Sequence, residues 1–171
     1  MKKLINHLIN FTATVCKVLS FIMVILLMLM SIIMFVQITS RVVFKTGFAW
    51  IEELSRYSFI WMCFLGIPVA FYYNDFSRFD LLQEKFKANT LKTSLTIIDI
   101  VLIGIMVIMT TGAIPLVQRQ MGQLATTLPI PMGIVYIAIP IGGVISIFIL
   151  SLKILLRWVE NRDFVLEEET K

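Results

Sequence analysis

The sequence predicts an all-α integral membrane protein: four transmembrane helices, with amphipathic interfacial helices at the N-terminus and in the cytoplasmic middle loop. Three observations predict it. Four apolar stretches, each long enough to cross a bilayer, fill most of the 171 residues. Hydrophobic residues make up 58% of the chain against 15% charged, with a mean hydropathy of +0.91, and a water-soluble domain of that balance would have nothing to cover its surface. The polar seams between the stretches alternate in their Lys and Arg content.

Residues 3–17 come first. Leu4, Leu8, Phe11 and Val15 follow helical spacing on one face, with Lys3, Asn6, Asn10 and Lys17 on the other. This reads as a helix lying in the interface before the chain turns inward, the alternative being ordinary loop anchors. The first span, about 18–40, holds fourteen Val, Leu, Ile and Phe residues between Val18 and Ile38 and no ionisable side chain over that stretch. At about 0.3 to 0.6 kcal/mol each, they favour insertion by roughly 4 to 8 kcal/mol. Lys2 and Lys3 ahead of an apolar run suggest a signal peptide, but the run lacks a small-residue cleavage site and reads as a retained anchor.

The remaining spans are placed at about 50–73, 93–117 and 130–157, since a hydrocarbon core of about 30 Å needs about 20 helical residues. Backbone in lipid must satisfy its own hydrogen bonds, and no short alternating strands suggest a barrel. Pro68 and Pro140 interrupt the second and fourth spans, where local kinks are expected, while Pro129 and Pro131 cap the outer loop. Between the second and third spans, Phe79, Leu82 and Phe86 share one side, with Arg78, Gln83, Glu84, Lys85 and Lys87 elsewhere, which suggests the second interfacial helix. A mobile, acidic cytoplasmic tail is expected over 159–171. The whole chain, 1–171, reads as a single membrane domain.

Orientation follows from charge. With both termini and the 74–92 segment inside, eleven Lys and Arg residues face the cytoplasm, and only Arg41, Lys45, Arg56 and Arg119 face out. The positive-inside bias therefore places both termini in the cytoplasm of a multi-pass chain. The formal charge of +4 is then explained by topology and anionic lipid, with no nucleic acid required.

Chemistry is scarce. His7 is the single histidine, so bis-imidazole haem ligation or a His-based metal site has no second ligand. Cys16 and Cys63 lack a Cys-x-x-Cys context and read as small buried apolar residues. No phosphate-binding loop or serine nucleophile motif occurs, so no catalytic, cofactor-binding or metal residue is assigned.

Charged residues near the membrane are the exceptions. Glu52 and Arg56 are four apart and Glu53 and Arg56 three apart at the start of the second span, and Arg41 lies on the same outer side. Together Arg41, Glu52, Glu53 and Arg56 read as a structural ion cluster fixing the first two spans; ion or substrate conduction and contact with a partner chain remain open. Asp99 lies little more than one turn inside the third span and is expected to reach headgroup water, or to pair with Lys92 or a neighbouring chain. Trp50 and Trp61 are candidates for inter-helix or subunit contact. Lys153 and Arg157 are expected to snorkel to the cytoplasmic surface.

The run Arg41 to Phe44, then Trp50-x-Glu52-Glu53-Leu54-x-Arg56, Phe59, Trp61, Phe64-Leu65-Gly66, Ala70 and Asp80, resembles the signature of the small membrane subunit of tripartite ATP-independent periplasmic (TRAP) transporters. A second match is Leu128-Pro129-Ile130-Pro131-Met132, Tyr136 and Pro140-Ile141-Gly142. The resemblance covers about 18–157. One departure is Asn74 to Phe79 before Asp80, where many relatives place a histidine, so no proton or ligand role is carried over to that corner.

The resemblance implies a transporter subunit in the bacterial inner membrane, with no catalytic centre and no cofactor of its own. Its implied partners are a large multi-span permease subunit, a periplasmic substrate-binding protein and membrane lipids. The large subunit would carry the sodium sites and move an organic acid (a sialic acid, another sugar acid or a C4-dicarboxylate) by an elevator-like motion, with this chain as scaffold. Arg41, Lys45, Arg56 and Arg119 would be available to touch the docking binding protein. Two rivals stand beside it: an autonomous four-helix exporter, which needs a carboxylate near mid-membrane, and a membrane redox enzyme, which needs paired cysteines or several histidines.

Overall fold

The computed structural model describes residues 2–45, 47–73 and 88–159. Within them the chain forms α1 (Lys2–Val43), α2 (Ala49–Tyr73), α3 (Ala88–Gln120), the short α4 (Met132–Tyr136) and α5 (Ala138–Val159). Four stretches, Ile5–Val43, Ala49–Tyr73, Thr93–Gln120 and Met132–Trp158, are long and apolar enough to cross a membrane. Among the described residues no strand forms beyond one isolated bridge between Leu124 and Pro131. The fold is all-α with four spanning helices, as the composition and apolar stretches predict.

α1 departs from the expected plan. Instead of an interfacial helix over 3–17 that turns into a span at 18, one unbroken helix of 42 residues runs through both. At about 1.5 Å per residue it is roughly 63 Å long, twice the depth of the hydrocarbon core. The cause is local: no Gly or Pro occurs before Gly47. The hydroxyls of Thr12, Thr14, Ser31 and Thr39 each donate to the carbonyl four residues back, which absorbs them without breaking the helix. Ile5, Thr12, Cys16 and Leu19 face the protein while Phe11 is exposed. Ile5, with Leu8 and Ile9, packs on Leu152 and Leu156 of α5, so tertiary contact holds the first turns in line with the rest.

The interfacial helix expected around Phe79, Leu82 and Phe86 lies outside the described residues, as does the tail beyond Val159.

The long helices stand in a row in which α1 packs on α2, α2 on α5, and α5 on α3. α5 is the inner plank. Its Gly142 and Gly143 show how tightly it is held: a methyl group on Gly142 would overlap the Phe64 carbonyl oxygen of α2, and one on Gly143 would overlap the Thr110 hydroxyl of α3. Adjacent residues on a helix point about 100° apart, so one glycine serves each neighbour. Ala138, Gly142 and Ser146, at four-residue spacing, are all buried and let the backbones approach. One cluster then ties the row together, with Cys16 from α1, Phe71 and Tyr72 from α2, Met106 from α3, and Ile149 and Leu150 from α5.

The proline effects are separable. α4 and α5 are divided at Ile137 because Pro140 has no N–H to give the Tyr136 carbonyl. α2 continues through the fully buried Pro68, and α3 through Pro115.

The ends of the row are left open. Phe21, Met28, Ile32, Phe35 and Ile38 of α1 and Ile97, Ile100 and Ile108 of α3 are all exposed, with Phe35 at 73% and Ile108 at 72%. Apolar faces of this extent suit lipid or another membrane protein and not water.

Candidate functional site

Two polar sites stand at opposite ends of the long helices. The first joins α3 and α5. Arg157 Nη1 lies 2.8 Å from Asp99 Oδ2, and the side chains are 8% and 2% exposed. Thr96, one turn before Asp99 on α3, receives Trp158 Nε1 at 3.3 Å and Arg157 Nη1 at 3.5 Å. Lys153, one turn before Arg157 on α5, turns toward α2 and donates to the Phe71 carbonyl oxygen at 2.6 Å. That carbonyl is in the last turn of α2, where the helix dipole favours a cation.

This corrects one expectation. Lys153 and Arg157 are buried between helices instead of snorkelling outward, because an acidic side chain and a helix terminus offer them partners inside. Asp99 meets Arg157, 58 residues away. Both Asp99 and Arg157 lie near the same end of their spans, and that shared depth was the signal available in the sequence.

The second site forms where α2 begins. Glu53 accepts hydrogen bonds from the backbone N–H of Thr126 to Oε1 at 3.0 Å and of Thr127 to Oε2 at 2.8 Å. The Thr127 hydroxyl also donates to Oε2, and the Tyr57 hydroxyl donates to Oε1 at 2.6 Å. Each carboxylate oxygen therefore has two donors. The loop it grips is itself folded, with Ala125 N–H on the Ile130 carbonyl and Met132 N–H on the Gln123 carbonyl, both at 2.9 Å.

The expected four-residue ion cluster is thus divided. Arg41 reaches Glu52 at 3.6 Å, with side chains 65% and 56% exposed. Glu53 is taken by the 126–127 backbone, and Arg56, exposed on α2, makes no ion pair among the described residues. The helical spacing that suggested Glu53 with Arg56 is overridden because neutral donors from the loop satisfy the carboxylate. Backbone donors carry no side-chain signature, so the Glu53 contact was hidden in the sequence; the hint was the turn-forming Thr126-Thr127-Leu128-Pro129 run.

The other candidates sit apart. Lys45, with φ of 53°, ends α1 in the left-handed region. Arg119 is exposed in the last turn of α3. Trp50 is exposed beside Phe48, with ring centroids 6.4 Å apart, and Trp61 is half-buried in α2. Cys16 is buried, but Cys63 is exposed, contrary to the expectation of burial for both. His7 is exposed on α1.

A model of the family described as tripartite ATP-independent periplasmic transporters, DctQ component, matches residues 30–160. The chain belongs to this DctQ family. It is 28% identical over 171 residues to a protein of Haemophilus influenzae assigned to the TRAP transporter small permeases, with both chains covered in full. It is 25% identical over 105 residues to the isethionate TRAP transporter permease protein DctMQ of Oleidesulfovibrio alaskensis, an alignment covering 60% of this chain and 16% of that one. As a DctQ chain it is a multi-pass membrane component of a transporter permease.

The DctQ match begins within α1, leaving the turns that pack on α5 outside it. It contains both polar sites. The two sequence signatures that suggested the family, around Trp50 to Arg56 and Leu128 to Met132, are neighbours in space through Glu53 and the backbone just before Leu128.

Proposed function

We propose that this DctQ chain is a non-catalytic scaffold that packs on the static part of a large multi-span permease subunit in the bacterial inner membrane, with both termini cytoplasmic. In this reading the large subunit holds the sodium sites and imports an organic acid by an elevator motion, after a periplasmic binding protein delivers it. The acid is a sialic acid, another sugar acid or a C4-dicarboxylate.

The observation that carries the reading is the commitment of two carboxylates among the described residues, Asp99 within a span and Glu53 at the start of another. Asp99 is held by Arg157, and Glu53 is held by four donors from loop and helix. A chain that moved ions or substrate by itself would need a carboxylate free to bind and release. The exposed apolar lengths of α1 and α3 supply what a stator needs: lateral area for lipid on one side and a large partner on the other. Rigid attachment also explains an inner plank packed through Gly142 and Gly143, since sliding would open those contacts.

The test is purification of the tagged chain from its native membrane in mild detergent, followed by reconstitution. A large permease should co-purify in equal amount. Sodium-driven uptake should require that subunit, this chain and the binding protein together. Uptake by this chain alone would return the exporter reading to first place.

A further inference from the structure

We infer that Glu53 is a positioning residue that holds the 121–131 loop as a preformed outer platform, on which the soluble binding protein docks. The inference rests on the reading that such a protein delivers substrate to this face.

A surface carboxylate costs little to leave in water, yet Glu53 has all four of its hydrogen bonds made by the protein. Two donors are successive backbone N–H groups, Thr126 and Thr127, more than seventy residues away in sequence. Two adjacent amides converging on one carboxylate restrict both position and rotation of the segment that carries them. Tyr57, one turn along α2, restrains the carboxylate from behind. The Leu124 to Pro131 bridge and the Ala125 to Ile130 bond close the loop on itself, so gripping residues 126 and 127 fixes the whole of it.

The platform has the character of a contact surface. Leu124 stands 68% exposed at the loop, where an apolar side chain gains nothing from water. Arg56 on α2 and Arg119 at the end of α3 are exposed cations on the elements that lead into the clamp. The fitting partner is a soluble protein that offers an apolar contact with acidic groups around it. Rigid presentation of such a surface lowers the ordering cost of docking, while the flanking charges speed encounter.

The substitution Glu53→Gln keeps the size of the side chain, but offers one acceptor and turns an NH2 group toward the second amide. It is tested in the reconstituted complex of this chain with its large subunit. Backbone exchange at Thr126 and Thr127 should speed up by about tenfold or more. The concentration of loaded binding protein giving half-maximal uptake should rise about tenfold, with maximal uptake and co-purification unchanged. Thr127→Val, which removes only the hydroxyl bond, should shift it less, and Leu124→Asp, with the clamp intact, should shift it comparably.

Equal exchange in Glu53→Gln and wild type would overturn the clamp. Faster exchange with an unchanged half-maximal concentration would overturn the positioning role, as would a fall in maximal uptake or in assembly alone. Wild-type uptake that does not depend on the binding protein would overturn the underlying reading and the docking role with it, while the exchange result would still report on the clamp.

Discussion

The two polar sites use the same chemistry under opposite conditions. At the α3–α5 end, Asp99 and Arg157 are nearly sealed from solvent and meet at 2.8 Å. At the start of α2, Glu53 is served by neutral donors and Arg41 meets Glu52 in the open. A buried pair is costly to break because the survivor is left uncompensated, whereas an exposed pair exchanges easily with water. The inner site is therefore a lock on helix packing. The outer site is a means of shaping a surface.

The contrast is broken most severely at the inner site. Arg157→Met removes the guanidinium that meets the buried Asp99 carboxylate, and a loss of about 3–5 kcal/mol is expected. That would appear as a large drop in the thermal stability of the purified chain and in its accumulation in membranes. Adding Asp99→Leu should recover much of the loss, since two apolar residues replace two charges. If the single and double variants are equally unstable, the pair is not the lock.

Gly142→Ala tests the packing between the sites. Its new methyl group meets the Phe64 carbonyl, so α2 and α5 must part, at a cost of about 1–3 kcal/mol. Gly112→Ala in α3 is the control. Nothing lies within 4 Å of its added atom, and the helix should gain up to about 1 kcal/mol from the better helix former. Comparable melting shifts in both variants would show that close approach at Gly142 is not what matters.

What was legible in the sequence follows the same division. Four spanning helices were written in apolar length, which is insensitive to register and partner. The end of the interfacial segment was not, because residues 3–17 and 18–40 both favour helix and no breaker separates them, and the packing of Ile5 on Leu152 and Leu156 holds the first turns in line. Asp99 with Arg157 was half legible, through matched depth in the membrane. Glu53 was misassigned because spacing along a helix suggests side-chain partners and is silent about a distant backbone. Pro140 marked a real break, while α2 continues through the buried Pro68.

The smallest effect is expected from Arg41 and Glu52, and it sharpens the comparison because it isolates exposure. A double-mutant cycle of Arg41→Ala and Glu52→Ala should give a coupling of about 0.2–1 kcal/mol, since both side chains are more than half exposed and must be held in place against their own rotamer freedom. That coupling should shrink as salt rises, the screening length falling from about 10 Å at 0.1 M to about 3 Å at 1 M. The same cycle between Arg56 and Glu52 should give none, although their four-residue spacing on α2 favours a pair. A measurable Arg56 coupling that exceeds the Arg41 value would mean that helical spacing, and not the approach of α1 to α2, organises this corner.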